Sequence, residues 1–232
     1  MIGLAMHANT RSFHRIVGSL AAIGAVCGCT YQSVAVSTAV PAEDVTAQRV
    51  QNIQVDYFVD VADEFQAIES KRIGRVCTAH KYPLNVVPAV NETIDGVLKT
   101  AFADSRRHDE PITPVADGNQ YSMEFRLESF ESVLGYMSGT WTGSAHAESS
   151  MNLSFKVRGP DGTELLSTSV AGDGSAIRSG GCDQGSVVLS ESASKAIEEA
   201  VQTFVYKVID SRLLEDPVDS GETVPVADSG KP

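Results

Sequence analysis

Residues 141–158 read WTGSAHAESSMNLSFKVR. Trp141, Gly143, Ala145, Ala147, Ser149, Met151, Leu153, Phe155 and Val157 share one parity, and Thr142, Ser144, His146, Glu148, Ser150, Asn152, Ser154, Lys156 and Arg158 share the other. Successive side chains of a strand point to opposite faces, so a period of two held this long predicts a strand with one face on a core and one on water. Gly159-Pro-Asp-Gly162 follows as a turn signal, and Glu164 to Val170 returns as the next strand. Upstream, Tyr121, Met123, Phe125 and Leu127 alternate with Ser122, Glu124, Arg126 and Glu128. These three strands form an antiparallel meander.

The elements around the meander differ in period. Ile53, Val55, Tyr57, Val59 and Val61 alternate with polar neighbours, a further half-buried strand. From Pro88 on, Val90, Ile94, Val97, Leu98, Ala101 and Phe102 fall on one helix face, with Pro88 suited to the first turn. The charged run Arg106-Arg107-His108-Asp109-Glu110 reads as the exit of that helix. Leu189, Ala193, Ala196, Ile197, Ala200, Phe204 and Val208 mark a second helix over about 187–213, reached through a Gly-rich loop at 171–185. The order strand, helix, three strands, helix has an economical solution, with both helices on the apolar face of the sheet. The fold class expected is α+β, a two-layer sandwich with a mostly antiparallel sheet, in a single domain over residues 50–214.

The ends of the chain carry the address. Arg11 and Arg15 precede an uncharged run from Ile16 to Val26, and Val26-Cys27-Gly28-Cys29 closes it. Eleven such residues make about 16 Å of helix, while a bilayer span needs about 20 residues. The segment 1–28 therefore reads as a cleaved export signal. Its closing tetrapeptide resembles the lipobox of bacterial lipoproteins, in which the last Cys takes the lipid. The resemblance implies lipidation of Cys29, residues 29–49 as a tether, and, because Thr30 rather than Asp follows, sorting to the outer membrane, facing the periplasm. Residues 215–232, acidic and rich in Pro and Gly, read as a disordered tail. The architecture from 29 to 214 is also similar to small envelope-assembly lipoproteins, such as the lipopolysaccharide-assembly lipoprotein and transporter-auxiliary lipoproteins. Fold alone does not transfer function.

Charge and cysteines narrow the classes. The formal charge is −12, and loss of residues 1–28 removes two arginines and no acid, leaving about −14. Such a surface disfavours nucleic acid and anionic headgroups, so the outer-membrane lipid contact is expected through the N-terminal acyl chains. Cys77 and Cys182 remain, in a compartment that permits disulfides, and read as one bridge. A zinc site built from Cys77, His80 and Cys182 falls one ligand short of a structural set.

Enzymatic constellations are thin. His146 beside Glu148 on a polar strand face is too small a set for a metal. Gly135-Tyr-Met-Ser-Gly139 places its Ser outside the nucleophile-elbow position, and the Gly-rich loop before the last helix lacks the Gly-Lys-Ser/Thr ending of a phosphate loop. No catalytic residue, metal or cofactor is assigned. One patch departs from the pattern: in 129–137 the alternation slips phase, and Phe130, Val133, Leu134, Tyr136 and Met137 crowd together. It reads either as a bulged hairpin folded onto the core or as an apolar tip touching a partner. The expected function is a non-enzymatic accessory or assembly subunit of a cell-envelope complex. A small-ligand or lipid-binding lipoprotein is the alternative, and an envelope hydrolase ranks last.

Overall fold

In the computed structural model, residues 34–36, 50–113, 120–137, 143–210 and 213–214 are described. The leader with Cys29, most of the tether and the acidic tail lie outside them. The elements in chain order are β1 (Val34–Ala35), β2 (Val50–Asp60), β3 (Ile68–Glu69), β4 (Lys71–Ile73), β5 (Pro83–Asn85), α1 (Val87–Ala101), β6 (Phe102–His108), β7 (Gln120–Met137), β8 (Ser144–Arg158), β9 (Glu164–Ser179) and α2 (Gly185–Val205). A π-helical turn, Tyr206–Asp210, continues α2.

The alternating stretch becomes β8, near the middle of a sheet ordered β6-β2-β7-β8-β9, with β4 added along β7. β7–β8 and β8–β9 are long antiparallel ladders. β2 runs parallel to both β6 and β7. Parallel neighbours need a crossover, and α1 supplies it between β2 and β6. A small second sheet, β1-β5-β3, lies beside the main one.

Both helices cover the apolar face, giving the expected two-layer α+β sandwich. Phe125 of β7, Phe155 of β8 and Phe204 of α2 meet edge to face, with Phe204 centroids 4.9 and 5.0 Å from the other two rings. Such pairs contribute beyond their buried area. Tyr57 of β2 donates to Asp95 of α1 at 3.1 Å. Arg107 of β6 also binds Asp95, at 3.2 Å, so helix and strands are pinned together. Under α2, Ser132, Ser149 and Ser192 form a buried hydroxyl chain with 3.0 and 2.8 Å links, ending on the Leu189 carbonyl. These buried hydroxyls are therefore satisfied.

Three local expectations change. Residues 102–108 are the edge strand β6 rather than a helix exit; only Phe102 is buried there, so no alternation shows in the sequence. The Gly-rich stretch is strand as far as Ser179. Its inward positions are Gly172, Gly174 and Ala176, which leave room for α2: a Cβ on Gly172 would lie 3.0 Å from Ala200 Cβ, and one on Gly174 2.7 Å from Ala196 N. The tether, finally, is docked at Val34 and Val36, both buried; Ser190 of α2 donates to the Ala35 carbonyl at 2.9 Å.

Two charged side chains of α2 bond the free edge of β9. Glu199 accepts the Asp173 N–H at 2.7 Å, and Lys195 donates to the Ser175 carbonyl at 2.7 Å. Charged side chains on an open edge discourage strand-to-strand association. Among the described residues no helix is long and apolar enough to cross a membrane.

Candidate functional site

Cys77 and Cys182 are joined, with Cα atoms 5.5 Å apart across 105 residues of sequence. The bridge fastens the turn between β4 and β5 to the short 3-10 turn Cys182–Gln184 that opens α2. Cys77 sits at φ 61°, a left-handed conformation uncommon for a residue with a Cβ.

The surrounding polar groups serve the two cysteines' main chain. Arg72 donates to the Cys77 carbonyl at 2.9 Å and lies over the Tyr82 ring, 6.0 Å from its centroid. Tyr82, itself buried, donates to the Cys182 carbonyl, and Tyr136 reaches the same oxygen at 3.4 Å. Burial, and then the hydrogen bond with Tyr82, push the Tyr136 phenol well above its ordinary range. It stays a proton donor at any physiological pH. His80 stacks beyond Tyr82 at 6.0 Å. Glu69, Ser70, Arg72, Thr78, Lys81, Tyr82 and Pro83 line a surface cleft of about 300 Å³ here.

The 129–137 segment is not a protruding tip. A bulge between Leu127 and Ser129 shifts the register by one residue, and the strand continues, paired to β8 throughout and to β4 at Val133–Gly135. The slip in alternation is that bulge, which moves the inward side from odd to even residues. Phe130 (6 % exposed) and Leu134 (0 %) therefore enter the core and are out of reach of a partner. Tyr136 packs against the core and serves the bridge. Val133 lies on the outer face, in a cleft of about 400 Å³ with Glu131, Glu148 and Asp173. Met137 is exposed at the strand's end.

His146 turns its ring onto Gly135, its partner across the β7–β8 ladder. A Cβ at Gly135 would fall 3.0 Å from His146 Nδ1 or closer to other ring atoms, so glycine there makes room for the imidazole. Nδ1 is buried with no hydrogen-bond partner among the described residues. No group of three or more His, Cys, Asp and Glu among the described residues is placed to hold a metal.

Sequence reasoning missed the stretch 70–82, whose apolar residues fit neither period. Its charge was the available signal: Lys71, Arg72, Arg75 and Lys81 with no Asp or Glu from Ser70 to Asn91.

No family model matches this chain, and no curated protein matches it. Solved structures similar to it include a neuraminyllactose-binding hemagglutinin homolog from Helicobacter pylori, with 9 % identity, a TM-score of 0.41, and coverage of 72 % of this chain and 89 % of the other. A minor lipoprotein from Acinetobacter baumannii is also similar, with 10 % identity, a TM-score of 0.31, and coverage of 68 % and 94 %.

Proposed function

We propose that this chain is a lipid-anchored, periplasm-facing subunit of a cell-envelope complex, acylated at Cys29 and held in the outer membrane, and that its role is assembly or accessory binding rather than catalysis. The observation that carries this reading is the Cys77–Cys182 bridge. A disulfide at the centre of a site belongs to an oxidising compartment, which agrees with the export signal read at residues 1–28. The most concentrated chemistry in the molecule supports a structural role: the phenols of Tyr82 and Tyr136 and the Arg72 guanidinium are committed to the carbonyls of the bridged cysteines. Space between sheet and helices is filled by Phe125, Phe155 and Phe204 with the aliphatic and alanine positions of both helices, where a lipid-binding lipoprotein would keep a cavity.

Of the segment expected to meet a partner, Val133 and Met137 remain available. The Val133 cleft, rimmed by Glu131, Glu148 and Asp173, suits a protein carrying a basic residue beside an apolar one. The experiment combines acyl labelling with crosslinked recovery from solubilised membranes. Labelling is lost in Cys29→Ser, and Val133→Glu loses crosslinked envelope proteins at unchanged melting temperature. A Cys29→Ser protein that still takes label, or a Val133→Glu protein with every crosslink intact, overturns the corresponding half of the proposal.

A further inference from the structure

The exposed large apolar side chains gather at one end of the molecule. Of seven among the described residues, Ile73, Val76, Met137, Ile177 and Val187 lie where the bridge is, and Leu165 and Tyr206 lie elsewhere. Register places them together. Ile73 is opposite Gly135, Gly135 opposite His146, and His146 opposite Ile177, one row across four strands. Met137 ends β7 two residues further, and Val187 is in the first turn of α2, next to Cys182. Val76 adjoins Cys77 on the bridged turn. Ile73 is 60 % and Val76 51 % exposed.

This end is also where β1 starts, five residues after Cys29 in sequence. β1 runs parallel to β5, with Val34 opposite Leu84. The start of β1 therefore lies at the Pro83 end of β5, and the adjoining Tyr82 touches Cys182 at the start of α2. Five residues of chain from Cys29 to Val34 span at most about 17 Å even fully extended. An acyl group on Cys29 thus keeps Val34, at the end of β5 that adjoins Tyr82 and the bridge, within about 17 Å of the lipidated residue.

We infer that the segment 70–82 is a membrane-contact surface, with Ile73 and Val76 entering the headgroup region and Arg75 and Lys81 meeting lipid phosphates. This rests on acylation of Cys29 for the orientation. Charge complementarity supports it. Lys71 is paired with Glu131 at 2.6 Å and Lys81 loosely with Glu69 at 3.8 Å. Arg75 is exposed and has no ion pair among the described residues; Asp183 on the bridged turn and Glu148 and Glu191 beside Ile177 are acids at the same end, outside the segment 70–82. Acyl tethering raises the local concentration of this surface at the bilayer, so a weak contact suffices.

The test uses the acylated protein in vesicles of equal parts phosphatidylethanolamine and phosphatidylglycerol. Trp141→Phe removes the single tryptophan, and Val76→Trp or Leu165→Trp then reports depth through quenching by brominated acyl chains. Leu165 is a control: it lies roughly 40 Å from Ile73 along the strands at about 3.3 Å per residue. Val76→Trp should be quenched and blue-shifted, and Leu165→Trp should not. In parallel, the mature chain with Cys29→Ser should bind these vesicles weakly, lose binding in high salt, and lose about five-fold more for each unit of charge removed at Arg75 or Lys81. An unquenched Val76→Trp on a protein that does carry the acyl group overturns the inference and leaves lipidation standing. Failure of Cys29 to take label, with vesicle binding by the Cys29→Ser chain that Arg75→Glu abolishes, refutes the anchor and leaves the contact surface standing. Quenching displaced by a co-purifying protein rather than by brominated lipid assigns the patch to a protein partner and also overturns it.

Discussion

Replacing both bridged cysteines, Cys77→Ala with Cys182→Ala, isolates what the covalent link contributes. The bridge closes 105 residues, and in the chain-entropy treatment a loop of that length is worth about 4.7 kcal/mol through the unfolded state. One offset is visible. Cys77 is held at φ 61°, and release from a left-handed conformation can return about 1–2 kcal/mol. The hydrogen bonds from Arg72, Tyr82 and Tyr136 all end on main-chain carbonyls, so the substitutions leave them in place. The net loss should be about 3–4 kcal/mol. With a urea slope of about 2 kcal/mol/M for a domain of this size, the midpoint falls by about 1.5–2 M. Urea unfolding of the mature protein, followed by far-UV circular dichroism, reads it directly. Wild-type protein kept reduced should superimpose on the double variant, and trypsin should then cut faster at Arg75. A midpoint within about 0.5 M of the oxidised wild type would refute the reasoning, since a loop this long cannot be closed at so little benefit if the unfolded chain is open. Two reactive thiols in periplasmically matured protein would refute the bridge itself.

Other expectations are smaller in scope. Phe204→Ala opens the space between Phe125 and Phe155 and should cost about 3–5 kcal/mol by calorimetry or urea; a loss below about 1.5 kcal/mol would mean the two rings close over the gap. Gly174→Val drives a side chain into the backbone of α2 near Ala196 and should destabilise by at least about 2 kcal/mol, whereas the same change at exposed Gly96 should cost less than half of that. Phe130→Ser and Leu134→Ser should each lower stability by about 2–5 kcal/mol, and Met137→Ser should leave the melting temperature within a degree or two. Glu191 is held below the ordinary carboxylate range by its hydrogen bond from Arg178. Its unfolded form therefore binds protons first as pH falls: the contribution is complete above the ordinary range and disappears as pH drops through the lowered folded value. Glu191→Gln should flatten that part of the acid limb of the stability profile, and a steeper limb would show the sign to be wrong.

Much of the fold was legible because burial here is one-sided. Where an element has one wet face, the period appears in the letters, as in β8, in the first half of β7 and in both helices. Legibility fails wherever inward positions are not large and apolar. β9 beyond Val170 hides its strand because α2 presses so close that Gly172 and Gly174 are the inward residues, and glycine in a sequence suggests a loop before it suggests a close approach. β6 hides because it is an edge strand with Phe102 as its one buried residue. The segment 129–137 misled differently. A single extra residue at the bulge moves the core side from odd to even, so Phe130 and Leu134 look stranded on the wet face when counted from Leu127. Counted backward from Met151, their partner strand shows where they belong. The bridge was legible from compartment and cysteine count; its position beside the start of β1 was not, since that depends on β1 pairing parallel to β5.

The total charge of −12 was a poor guide to membrane contact for a physical reason. At physiological ionic strength a charge is screened beyond about 8 Å, so a headgroup phosphate senses the side chains at the surface it touches and little else. The acids are not spread evenly: residues 215–232 carry five Asp and Glu against one Lys, while residues 70–91 carry four Lys and Arg and no acid. α2 starts at the bridged end and carries its own chain away from it. The C-terminal end of α2 lies the length of a 21-residue helix from the bridged end, about 30 Å at ~1.5 Å per residue, several screening lengths away. Whole-chain charge can steer a freely diffusing protein away from a bilayer, but once an acyl chain fixes which end faces the lipid, the local sign at that end decides the contact.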